Sequence, residues 1–256
     1  MVSARLPISL LLAMAFPLAM AVPSARAQLT APPAAARAAA KVTPEERGDI
    51  YMARKMYREA IDAYMSATPV SAVLWDKIGI SYHQLGDLNG AKRSYERALK
   101  LDSKYADAIN NIGTVCYAQK KYRSAIAAYV KALRIAPDSA SVWGNLGTAY
   151  YARKQFEQMN KAYAKALELD PLVFAEHNAV GTRMQDRSVE DRARFDYEMA
   201  KLYAGAGKND LALQHLRKAL EEGFKDKDKL NQAKEFSTLR ETQEFKDLMA
   251  AEPRVL

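Results

Sequence analysis

The sequence predicts an all-α solenoid, and three observations carry that reading. Glycine recurs at 34-residue intervals inside stretches that read as helix, at Gly79, Gly113 and Gly147. Around each glycine the same residue types return at the same offsets. Pro137 and Pro171 fall where two of the repeats close, which is where a helix can tolerate proline. A glycine inside a helix costs about 1 kcal/mol relative to alanine, so its regular return calls for a packing reason.

The offsets are specific. Trp75, Ile109 and Trp143 stand four residues before the glycines, and Ile78, Ile112 and Leu146 directly before them. Tyr82, Cys116 and Tyr150 follow three after, and Ala91, Ala125 and Met159 twelve after. Tyr95, Tyr129 and Tyr163 come sixteen after, followed by Ala98, Ala132 and Ala166, each with a leucine behind it. A weaker copy precedes these, with Gly48, Tyr51, Ala60, Tyr64 and Ala67. A looser one follows, with Ala200, Tyr203, Ala212, Leu216 and Ala219.

These recurrences resemble the tetratricopeptide repeat family, whose 34-residue unit is a pair of antiparallel helices. The resemblance implies a right-handed solenoid of such pairs, with the first helices lining a concave groove. Four units are expected over residues 43–171, the first degenerate, and a fifth, divergent one over 193–222. The fifth begins 53 residues after the fourth, so a 19-residue insertion is expected, placed at 172–192, with a loop from Asn178 to Ser188. Phe236, Leu239, Phe245 and Leu248 recur at helical spacing and predict capping helices within 223–256. No unit can bury its apolar face alone, so the units must stack. On this reading the glycine, with Ala60, Ala91 and Ala125 on the second helix, lets the two backbones approach, while Trp, Tyr and Leu fill the space between units. Met159 breaks the alanine position and predicts a different packing for the fourth unit.

The N-terminal stretch reads differently. Arg5, the apolar run Leu6–Val22 and the small-x-small pattern Ala25-Arg26-Ala27 have the form of a secretory signal peptide over residues 1–27. Cleavage would leave Gln28 first and send the chain to the periplasm or outside the cell. The net charge would then fall from +8 to +6 with the loss of Arg5 and Arg26. Residues 28–42, rich in alanine and proline, read as a flexible tether. With Cys116 the only cysteine, no intrachain disulfide can form and packing alone must hold the fold. Cys116 stands where Tyr82 and Tyr150 stand, so it is expected to face the core.

Motifs for chemistry are sparse. His83, His177 and His215 lie in different units, without HExxH spacing, and no GxSxG occurs. "GAGKND", Gly205 to Asp210, lacks both the first glycine and the final Ser or Thr of a phosphate loop. No catalytic residue, metal or cofactor is expected, and the chain does not read as an enzyme.

The resemblance places partner contacts on the first helices. The residues it marks are His83, Asp107, Asn110, Asn111, Thr114, Tyr117, Asn145, Thr148 and Tyr151. Asn111 and Asn145 occupy equivalent places, and each amide has a donor and an acceptor to offer a peptide backbone. The lysine and arginine clamp by which some members hold a C-terminal carboxylate is absent, since Glu45, Asp49, Asp76 and Ile80 stand at its first places. Arg54, Lys55, Lys120, Lys121, Arg153 and Lys154 gather at the turns that end the first helices. They complement the helix dipole there, or form a basic edge open to anionic lipid or an acidic protein. The expected function is an exported scaffold or adaptor binding a protein or extended peptide in its groove. The alternative is a docking subunit of a cell-envelope assembly, using the basic edge, the convex side or the cap. Nucleic acid is not an expected partner.

Overall fold

The computed structural model describes residues 42–174 and 188–250. The signal and tether readings, and His177, lie outside the described residues. All regular structure among the described residues is helical. Five helix pairs follow in order: α1 (Pro44–Ala53) with α2 (Tyr57–Met65), α3 (Ala72–Gln84) with α4 (Leu88–Leu101), α5 (Ala106–Ala118) with α6 (Tyr122–Leu133), α7 (Ala140–Ala152) with α8 (Phe156–Leu169), and α9 (Val189–Gly205) with α10 (Asn209–Glu221). Each helix packs on its partner and on the next pair. α9 starts at Val189, inside the stretch 172–192 expected to be an insertion, and Ser188 is its cap rather than loop.

Local signals explain the helix starts. Thr43 and Glu46 form a reciprocal capping box with proline at the first helical turn of α1. Ser71, Asp87 and Ser188 each accept a backbone N–H of the helix they open. Every first helix closes with the same pair of backbone bonds, as where Lys120 N–H reaches Tyr117 O at 2.8 Å and Lys121 N–H reaches Cys116 O at 2.8 Å. That closure requires a left-handed residue, supplied by Gly86 and Gly207 in two units and by Lys55, Lys120 and Lys154 in the other three.

The recurring glycine has a reason other than the one expected. The ring of the tyrosine on the second helix of the same unit lies against it. A Cβ on Gly113 would stand 2.6 Å from Tyr129 Cε1, and Gly48, Gly79 and Gly147 meet Tyr64, Tyr95 and Tyr163 more tightly still. These four tyrosines are buried, each lying on the glycine of its own helix pair and also packing into the core shared with the next unit, as the sequence led one to expect of the large side chains. Ala60, Ala91 and Ala125 are fully buried as well, but they are not what the glycine makes room for.

The cores bridge units. Ala60, Ile61 and Tyr64 of the first unit pack with Leu74 and Ile78 of the second. Ala91, Tyr95 and Ala98 pack with Ala108 and Val115, and Ile109, Ala125 and Tyr129 with Val142 and Leu146. Cys116 is half-buried against this last cluster, as Tyr82 and Tyr150 are in their own units, so it faces the core in register with them without being fully enclosed. The final core joins Tyr151, Met159 and Tyr163 to α9, α10 and the C-terminal segment. Met159 is part of it, so the fourth unit keeps the glycine–tyrosine contact and uses the longer side chain to meet the fifth. α11 (Lys227–Gln232), two short 3-10 turns (Lys234–Phe236 and Leu239–Glu241) and α12 (Gln243–Ala250) follow, with Phe236, Leu239 and Phe245 buried in that core.

Candidate partner-binding wall

The first helices α3, α5 and α7 lie side by side, and their facing edges are joined by side chains. Asn111 Nδ2 donates to Asp76 Oδ1 at 3.0 Å, and Asn145 Nδ2 donates to Asn110 Oδ1 at 3.0 Å. Asn110 Nδ2 in turn donates to Asn111 Oδ1 at 3.2 Å. The result is one hydrogen-bonded chain, Asp76–Asn111–Asn110–Asn145, crossing three units. Lys77 extends the pattern backwards, reaching Glu45 Oε1 and Asp49 Oδ1 of α1, each at 2.8 Å. In every case the residue two before the glycine bonds to the preceding unit.

The electrostatics follow from burial. Asp76 is 5% exposed. Loss of water raises its carboxyl to about 6; the Asn111 N–H works against that and the nearby Asp107 charge adds to it. Burial works against the charge of Lys77, but its bonds to Asp49 and Glu45 outweigh this and raise its pKa. Burial works against the Asp49 charge too. Lys77 and the Tyr64 hydroxyl, which donates to Asp49 at 2.7 Å, outweigh it and hold that carboxyl below its ordinary value.

The expected site residues divide into three groups. Asn110, Asn111 and Asn145 come together, but as a ladder between units rather than as free rungs. Asn111 spends both its oxygen and an N–H internally. Asn145 spends one N–H, and its carbonyl has no hydrogen bond among the described residues. His83, Thr114 and Tyr117 are half-buried on the same helices, and Asp107 is exposed. Thr114 receives the Tyr129 hydroxyl at 3.4 Å, and Tyr117 packs its ring on Tyr122 at 5.2 Å. Thr148 and Tyr151 are corrections. Each is 4% exposed. Thr148 shares a hydrogen bond with the buried Tyr163 hydroxyl at 2.9 Å. Tyr151 is covered by α9, edge-on to Phe195 at 5.3 Å, with its hydroxyl donating to the Asp191 carbonyl. α9 therefore closes the wall beyond Asn145.

Sequence reasoning missed Asp76 as the anchor of the ladder. The signal was present: Asp76 to Asn111 and Asn110 to Asn145 are both separations of 35, one more than the repeat. It also missed His215, whose Nδ1 lies 2.7 Å from Asp196 Oδ1 and whose ring stacks on Tyr203 at 5.2 Å. Among the described residues no group of three or more His, Cys, Asp or Glu side chains could hold a metal ion.

The family profiles agree with this architecture. Residues 79–119 and 113–154 match the family profile described as TPR repeat, and 140–171 match that described as tetratricopeptide repeat. Residues 79–171 carry tetratricopeptide repeats. Among solved structures, the chain is similar to the APC/C hetero-tetramer Cut9–Hcn1, with TM-score 0.50 and 18% identity over 80% of this chain and 35% of that one. It is also similar to MamA, with TM-score 0.47 and 24% identity over 71% of this chain and 96% of that one. A thermophilic TPR protein of Thermus thermophilus, TTC0263, matches with TM-score 0.48 and 20% identity over 72% and 92%. The Cut9–Hcn1 likeness speaks for the fold alone. No curated protein sequence matches this one.

Proposed function

We propose that the chain is an interaction scaffold that holds a protein or an extended peptide along the wall of α3, α5 and α7. The observation that carries this reading is the ladder Asp76–Asn111–Asn110–Asn145. It fixes three first helices against one another before any partner arrives, so little ordering remains to oppose binding. It also leaves the Asn145 carbonyl and the exposed Asp107 carboxylate as polar groups for a partner's backbone at the margin of the ladder. Arg5, the apolar run Leu6–Val22 and Ala25-Arg26-Ala27 support export as the route by which the scaffold meets its partner. Mass analysis of the secreted form should give Gln28 as its first residue, and recovery of an intact N-terminus would argue against export.

The wall is tested by affinity capture. Replacing Asn145 and Asp107 together by alanine should weaken a captured partner about five- to 150-fold, the effect of leaving a buried polar group unpaired. Reversing turn charges, with Lys120→Glu and Lys121→Glu, should leave it bound. The opposite pattern would move the partner to the turns.

A further inference from the structure

We propose that the turns at Arg54–Lys55, Lys120–Lys121 and Arg153–Lys154 form a docking edge for a bilayer surface carrying anionic lipid. This edge is separate from the first-helix wall and does not depend on that reading.

The first observation is conformational. Lys55, Lys120 and Lys154 hold φ of 59°, 59° and 58°, the left-handed region that penalises any residue with a Cβ. At the equivalent place the second and fifth units use Gly86 and Gly207. The backbone closure is the same in both cases: Gly86 N–H reaches His83 O at 2.9 Å, as Lys154 N–H reaches Tyr151 O at 2.8 Å. The lysines give the turn nothing that glycine does not give without strain. A nearby cation does favour the helix C-terminus, but that gain is smaller than the left-handed penalty. Breaking a local rule at three equivalent points is the mark of a functional demand.

The second observation is electrostatic. All six cations are exposed, and none takes part in an ion pair among the described residues. Carboxylates reach this edge mainly at the second turn, where Asp87 accepts Gly90 N–H and lines one hollow with Asp62, Arg58 and Leu85, while Glu157 near the fourth turn pairs with Lys161. Asp210 stands by the fifth turn, two residues after Lys208, whose ammonium donates to the Pro171 carbonyl at 3.1 Å.

The third observation selects the partner. Met56 and Leu85 are 36% and 41% exposed, and stand directly beside the first and second turns. Cations interleaved with exposed apolar side chains suit a lipid interface, where the charge meets headgroups and the apolar groups enter the boundary. Four of the six cations are lysines, compact point charges that respond to a surface potential without the fixed geometry of a carboxylate partner. The charges also recur at the equivalent turn of three separate units, as contact with an extended surface requires.

The test is flotation of the full chain with phosphatidylcholine vesicles, with and without phosphatidylglycerol. Residues 1–41 contribute equally to every variant, so the quantity read is the preference for the anionic vesicles. The wild type should show that preference and lose it near 1 M salt, where the screening length falls to about 3 Å. Each basic side chain near such a surface contributes about fivefold. The triple change Lys55→Gly, Lys120→Gly, Lys154→Gly should therefore cut the preference on the order of a hundredfold without lowering the melting temperature. The corresponding triple change to arginine should keep the preference. Should the glycine variant melt lower than the wild type, Arg54→Gln, Lys121→Gln, Arg153→Gln decides the matter in the same assay and should show a comparable loss. A wild type without preference for anionic vesicles overturns the proposal and leaves the edge to an acidic protein. An unchanged preference in the neutralised variants overturns it equally.

Discussion

Two residues show most clearly how composition becomes structure. Gly113 lies under the ring of Tyr129, which is buried and hydrogen-bonded to Thr114, so the ring cannot swing aside. Gly113→Ala should cost about 1–3 kcal/mol through overpacking, although alanine is the better helix former. At Gly205 an added Cβ meets only Glu235 Cγ, at 4.0 Å, so Gly205→Ala should be neutral or stabilising. Melting curves of the two variants check the contrast, and equal melting temperatures would refute it. Asp76 is the second case. Below about pH 4 its carboxyl is protonated in both folded and unfolded chains. Between there and its folded value of about 6, the folded chain keeps a proton that the unfolded chain has lost. Stability attributable to Asp76 therefore falls as pH rises through this window and stays low above it, by on the order of 2–3 kcal/mol. Asn at this position keeps an acceptor for Asn111 and removes the ionisation. Asp76→Asn should melt above the wild type at pH 7, with the gap closing towards pH 4. A gap that is absent, or the same at both ends, would contradict this.

At the scale of helices, the question is what holds neighbouring first helices in register. The ladder predicts that Asn110→Ala, which removes both a donor to Asn111 and an acceptor for Asn145, loses about 1–3 kcal/mol with no change in helical circular dichroism. Thermal unfolding followed by far-ultraviolet circular dichroism measures both. The helix pairs themselves were legible in the sequence, because Gly113 and Tyr129 are fixed by sterics and recur unchanged in every full unit. The ladder was less legible. It joins residues at different positions of the repeat, Asp76 to Asn111 and Asn110 to Asn145, so equivalence within one column does not reveal it. Thr148 and Tyr151 were misread because their register matches Thr114 and Tyr117, while their exposure is decided by the burial of the fourth unit against α8 and α9. α9 follows an insertion rather than a regular 34-residue step, so the repeat spacing gives no expectation for it.

Over the whole molecule, no unit owns a core. Each of the first three apolar clusters is shared by two consecutive units, and the last joins the fourth unit to the fifth and to the C-terminal helices. Stability of such a stack is a sum of unit and neighbour terms, and the exposed surfaces are left for partners. The wall of first helices and the second-helix surface are the two long faces on offer. Photocrosslinking distinguishes them most directly, with a benzophenone amino acid placed in the full chain at the exposed wall positions Gln84 or Asp107, or at the exposed second-helix positions Arg93 or Lys100. The scaffold reading predicts that one and the same partner is captured from Gln84 and Asp107 and not from Arg93 or Lys100. Capture from Arg93 and Lys100, with none from the wall, would contradict it.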